Sequence, residues 1–222
     1  MKKLNRNLAN EPQCLANLAK SGKIWKKVTT DQKKEIWHEL DKFQHQYCVY
    51  CESSAFKGKY TGHIKHFFHK GSRADGSAPH AHLTFDWNNL FGCCAANEHC
   101  GHFKDKTPKG SRHREYDPHA LIKPDLEDPE IFLQFLPSGK VQAKANLTQD
   151  MRRKATETIH IINLQAATLV NARNHKIKLY RDQLLALEKL AMDDEPHRQE
   201  YQRIRDEAMG GAHRTAVKHA CF

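Results

Sequence analysis

Cys48-Val-Tyr-Cys51, then Gly62-His-Ile-Lys-His-Phe-Phe-His69, then Cys93-Cys-Ala-Ala-Asn-Glu-His-Cys100 is the stretch from which the fold can be read. Zinc takes four sulfur or nitrogen ligands in a tetrahedron, and two knuckle-like cysteine pairs about 40 residues apart can close one such site and staple a small domain. Cys48 and Cys51 form the first pair. Cys94 and Cys100 form the second, with Cys93 as an extra candidate because the gap of five between Cys94 and Cys100 is wider than the usual two. Free cysteines also serve as small buried apolar groups, but five of the seven, at 14, 48, 51, 93, 94, 100 and 221, crowd into residues 48–100. In a reducing compartment such crowding points to metal rather than to disulfides.

Half of the 16 histidines (63, 66, 69, 80, 82, 99, 102 and 113) fall in the same region, so the metal-capable residue types coincide along the chain. If residues 62–69 form a strand, alternation puts His66 with Ile64 on one face and His63 with Lys65 on the other. A neutral imidazole at the strand end can take a proton from water.

Around this centre we expect two short strands, Tyr60 to Phe68 and Leu83 to Phe85, and a helix begun around Asn88 to Asn97. Gly71 to Ala81 reads as an exposed loop. Upstream, Ile36, Leu40, Phe43 and Tyr47 recur at helical spacing and predict a helix from Thr30 to Tyr47. Downstream, Ile131-Phe-Leu-Gln-Phe135, Pro137-Ser-Gly and Val141 suggest a small hairpin. From Leu147 to Pro196 the pattern is helical, with Asn163 as a candidate break. A further helix is expected from Glu195 to Met209, closed by Gly210-Gly211. The resulting division is a basic helical segment 1–47, a zinc-stapled core 48–117, a connecting segment 118–147 and a helical region 148–222.

The chain has 222 residues with a formal net charge of +10. That size suits one compact core with helical additions and argues against two large domains. Segment 1–47 is the densest basic region, with 10 basic and 5 acidic residues. The balance favours a polyanionic partner such as nucleic acid. No window carries the run of apolar residues that a spanning helix needs, and Met1-Lys2-Lys3 is followed by polar residues rather than a signal-like apolar stretch. A soluble cytoplasmic protein with no membrane association is therefore expected.

The order of these pieces resembles the HNH, or ββα-metal (His-Me finger), endonucleases, and within them the nuclease subunit of Septu-type phage defence systems, PtuB, which also occurs beside retrons. The likeness is carried by Cys48-Val-Tyr-Cys51-Glu52, His63-Ile-Lys-His-Phe67, Thr84-Phe-Asp-Trp-Asn-Asn-Leu-Phe91, Cys94, Cys100-Gly-His-Phe-Lys-Asp105, Leu121-Ile-Lys-Pro-Asp125 with Asp128-Pro-Glu130, Ala155-Thr-Glu-Thr-Ile159, Asn163-Leu164 and Arg173. It spans roughly residues 45 to 175. The resemblance implies an α+β protein: an HNH core stapled by structural Zn²⁺, with a helical N-terminal segment and a helical C-terminal appendage that docks a partner.

It implies phosphodiester hydrolysis, with His66 as general base, Asn89 holding the backbone that orients it, and His102 helping to bind a catalytic Mg²⁺ or Mn²⁺. Asn97 and His99 are alternatives to His102, and Lys104 is a candidate phosphate contact. The implied partners are an SMC-like ATPase of the PtuA type, a DNA or RNA substrate and, beside a retron, reverse transcriptase with multicopy single-stranded DNA. One departure stands out. The family usually has an acidic metal ligand just before the base, and this chain has Lys65, so either His63, Asp86 or another group substitutes or metal binding is weakened.

Overall fold

The computed structural model describes residues 1–22, 24–55, 62–73, 75–105, 116–190 and 194–222. Its elements are α1 (Gln13–Lys20), α2 (Thr30–Gln44), β1 (Gly62–His66), β2 (Leu90–Cys94), α3 (Cys100–Asp105), α4 (Pro129–Phe132), β3 (Leu133–Phe135), β4 (Val141–Ala143), α5 (Gln149–Ile161), α6 (Ala167–Glu188), α7 (Glu195–Gly210) and α8 (Arg214–Cys221). The fold is α+β, with two separate two-stranded antiparallel sheets, β1-β2 and β3-β4.

Helix α2 begins at a capping box in which Thr29 accepts from the Gln32 backbone and the Gln32 side chain accepts from the Thr29 backbone. Ile36, Leu40 and Phe43 are buried as their spacing predicts, but the helix stops at Gln44 because His45 takes a left-handed conformation. The Gln44 side-chain amide then pairs with both the N–H and the C=O of Gly92, at 2.8 and 2.9 Å, and so satisfies the backbone of β2 that faces away from β1.

The second strand differs from expectation. Ala81–Leu83 is a 3₁₀ turn, and the strand that pairs with β1 is Leu90–Cys94, with His66 opposite Leu90, His63 opposite Cys93 and Gly62 opposite Cys94. All five residues of β2 are buried, so no alternation marks it as a strand. No helix forms over Asn88 to Asn97, because Asp86 caps the 3₁₀ turn Trp87–Asn89 and the chain is extended from Leu90. The helix comes later, as α3. The expected start of the first strand at Tyr60 and Thr61, and His113, lie outside the described residues.

The expected break at Asn163 separates α5 from α6, and its φ of 52° marks the turn. Ile162, Ile177, Tyr180 and Leu187 are buried and Ile159 and Leu184 partly so; α6, α7 and α8 pack on one another and take up much of this stripe internally. The segment joining α7 to α8 clasps the Cys48–Cys51 turn. His213 donates its backbone N–H to Glu52 O (3.1 Å), its ring Nδ1 lies 2.8 Å from Cys51 O, and Tyr47 donates its hydroxyl to Gly210 O (2.7 Å). The buried Glu52 carboxylate accepts from the Thr215 backbone N–H at 2.9 Å and from the Thr215 hydroxyl. No helix among the described residues is long and apolar enough to cross a membrane.

Candidate metal centre and the adjoining basic site

The Cys48–Cys51 turn, the end of β2 and the start of α3 converge so that the sulfurs of Cys48, Cys51, Cys94 and Cys100 all lie within 4.8 Å of one another, and all four residues are buried. This donor set can hold a structural metal such as zinc. Cys93 and Cys94 point to opposite faces of β2, and Cys94 is the one in the four-sulfur group. Cys93 Sγ is nevertheless 3.7 Å from Cys48 Sγ and accepts the Gly101 N–H at 3.3 Å. A metal with four thiolates leaves excess negative charge in the interior, and the fold supplies counter-charge. The buried Arg173 guanidinium, anchored on Leu164 O (2.7 Å), lies within the electrostatic influence of Cys51, Cys100 and Glu52. His99 Nδ1 sits 3.0 Å from Cys100 Sγ, which places this histidine beside the sulfur cluster.

His66 ends β1. Its Nε2 lies 2.9 Å from Thr84 O, and a carbonyl can only accept, so the ring proton sits on Nε2 and Nδ1 is the basic nitrogen. Asn89 fixes the chain just beyond it: its Oδ1 accepts the Phe68 N–H (2.7 Å), its Nδ2 donates to Phe68 O (3.0 Å) and Leu83 O (2.9 Å), and its own carbonyl accepts the Phe67 N–H (2.9 Å). His66 is only 2% exposed, with the Trp25 ring edge-on at 4.5 Å. Burial first, and the Lys70 ammonium second, push its pKa down to about 3 against the pull of the Thr84 carbonyl. The imidazole is therefore neutral throughout the physiological range.

On the opposite face of β1, His63 and His102 stack with ring centroids 4.1 Å apart, and both His63 nitrogens are buried without a hydrogen-bond partner among the described residues. Next to them Lys65 Nζ meets Asp105 Oδ2 at 2.7 Å. Lys104 does not reach solvent. It is 0% exposed, and its Nζ donates to Phe67 O (3.0 Å), His66 O (3.3 Å), Asp105 Oδ1 (2.7 Å) and the Tyr116 hydroxyl. Its ammonium ties the end of β1 to α3 and has no open side for a phosphate. Asn97 is exposed in the turn between β2 and α3.

The carboxylates near this face are poorly placed for a hard divalent ion such as Mg²⁺, which leaves the imidazoles of His63 and His102 as its remaining candidate donors. Such ions need oxygen ligands with free lone pairs, and Asp105 has both oxygens taken by Lys65, Lys104 and Tyr116. Asp86 caps the turn at Asn88 and feels Arg6 and Lys123 instead. Sequence reasoning missed Trp25 and Asp105. The first sits on a three-residue turn with no periodic signal, and the second is one acidic residue among many. No protein-family model and no curated protein matches the chain.

Proposed function

We propose that the chain is an HNH-type endonuclease that hydrolyses phosphodiester bonds, with His66 as the general base. The observation that supports this reading most is the His66 and Asn89 pairing. The imidazole has its tautomer fixed by Thr84 O, and the backbone behind it is held by the amide of Asn89. In the reaction Nδ1 of His66 takes a proton from water, the water oxygen attacks phosphorus, and the ester oxygen leaves with a proton from solvent. Trp25 must move aside first, because the ring is otherwise shielded from water. The resemblance brings with it a divalent cation, and no step is assigned to one because the carboxylate on this face is already engaged by Lys65 and Lys104.

In this reading the chain is the toxic effector of a Septu-type or retron-associated antiphage assembly, working with an SMC-like ATPase on DNA or RNA. A second reading is a zinc-containing binding subunit that holds nucleic acid or an ATPase without cutting. The Lys65–Asp105 pair and the burial of His66 favour it. Incubating the purified chain with plasmid DNA and with a transfer-RNA pool, with and without Mg²⁺ or Mn²⁺, separates the two. Cleavage by the wild type and none by His66→Ala supports the nuclease; no cleavage by either, with retained nucleic-acid binding, supports the binding subunit.

A further inference from the structure

We infer that Lys65 is this site's own cation: its ammonium meets the phosphate of a bound nucleic acid directly, in the place where a divalent ion would otherwise stand. The inference rests on the reading above in that the ligand is a nucleic-acid phosphate at the end of β1, with Lys65 on the His63 face of the strand and His66 on the other.

Three observations carry it. The stem of Lys65 lies flat on the first turn of α3, where residue 101 is glycine; a Cβ there would come within 2.8 and 2.9 Å of Lys65 Cδ and Cγ. The same Cβ would come within 2.9 Å of Cys93 Sγ, so glycine at 101 leaves room for both the Lys65 stem and that sulfur. The carboxylate on this face, Asp105, is engaged on both oxygens: Lys65 Nζ at 2.7 Å on one, Lys104 Nζ at 2.7 Å and the Tyr116 hydroxyl at 3.1 Å on the other. Finally, charge on this face is net positive. Lys65, Lys70 and Lys104 act on His66 or on Asp105, and Asp105 is the acidic group that acts back on them.

An ammonium has three donors. The Asp105 contact uses one, which leaves two for phosphate oxygens, while the side chain retains 13% exposure. A divalent ion in the same place would meet one carboxylate already engaged by two ammonium groups, with only the neutral imidazoles of His63 and His102 as further donors, and the two positive charges oppose it.

The test uses the full chain with its zinc content checked by metal analysis. Mn²⁺ is titrated and followed by electron paramagnetic resonance, with and without a fluorescent single-stranded oligonucleotide whose binding is read by anisotropy. Wild type is expected to bind the oligonucleotide equally in Mn²⁺ and in a chelator level that leaves the zinc in place, and to take up no stoichiometric Mn²⁺. Lys65→Gln should bind the oligonucleotide several-fold more weakly, with the salt slope reduced by about 1. Lys65→Glu should gain Mn²⁺ binding; Lys65→Gln, which keeps the Lys104–Asp105 pair, decides the matter if that variant fails to fold. One Mn²⁺ held per wild-type chain, oligonucleotide binding lost on chelation, or an unchanged salt slope in Lys65→Gln would each overturn the inference. Absence of His66-dependent cleavage would instead count against the nuclease, and leaves the Mn²⁺ result to stand on its own.

Discussion

Replacing Asp105 by Asn is expected to be among the most costly single changes in the chain. The carboxylate has two ammonium partners at 2.7 Å, and one of them, Lys104, is 0% exposed. The amide is nearly isosteric, so packing is preserved and the loss is electrostatic. Breaking a buried ion pair from one side typically costs about 3 to 5 kcal/mol, because the remaining charge stays desolvated without compensation. The exposed fraction of Lys65 adds little to this. With a urea dependence of about 2.5 kcal/mol per molar for a chain of this size, the unfolding midpoint should fall by about 1.5 M. Urea unfolding followed by circular dichroism measures it. The double variant Asp105→Asn with Lys104→Met should recover at least half of the loss, since the stranded charge goes with the lysine. A loss below about 1 kcal/mol in the single variant, or no recovery in the double, would refute the view that this carboxylate holds a buried ammonium in place.

The metal centre predicts a split between adjacent residues. Cys94→Ser should lose the metal and become protease-sensitive, as should Cys48→Ser and Cys51→Ser, whereas Cys93→Ser should retain about one zinc by mass spectrometry and metal analysis. Trp25→Ala should expose His66 and move its pKa from about 3 towards the ordinary 6.5, read from imidazole proton shifts by NMR; a pKa still near 3 would mean that other groups cause the burial. Stability should fall in acid. Glu52 is pushed up by burial but pulled down further by the Met1 ammonium and the Thr215 hydrogen bonds, to about 2 from 4.5. A carboxylate with a depressed folded pKa contributes stability above its unfolded pKa and loses it as pH falls, here between about 4.5 and 2, by an amount on the order of 3 kcal/mol. Thr215→Val should flatten that acid limb, and an unchanged limb in the variant would show the carboxylate is held otherwise.

Cys48, Cys51 and Cys100 were legible because cysteine spacing is itself the signal. Cys94 was paired with Cys100 on the same ground, and Cys93 stayed an extra candidate because the spacing does not say which face of the strand meets the knuckle. The strand carrying them was misplaced for a related reason: Leu90 to Cys94 is buried on both faces, and a run without alternation carries no period to detect. Helices α2, α5, α6 and α7 were legible from their apolar spacing and their stop residues, His45 excepted, because a left-handed histidine has no sequence mark. The clasp between Glu52 and Thr215 joins single polar residues 163 positions apart, and such pairings are set by the assembled fold rather than by any local pattern.

That clasp also sets a schedule. During synthesis Cys51 emerges well before His213, its partner 162 residues later, and at about 5 to 20 residues per second the interval is about 8 to 30 s. Through that time the knuckle exists without the groups that hold Cys51 O and Glu52. A metal can therefore be captured by the nascent cysteines, once Cys94 and Cys100 have emerged, before the clasp closes.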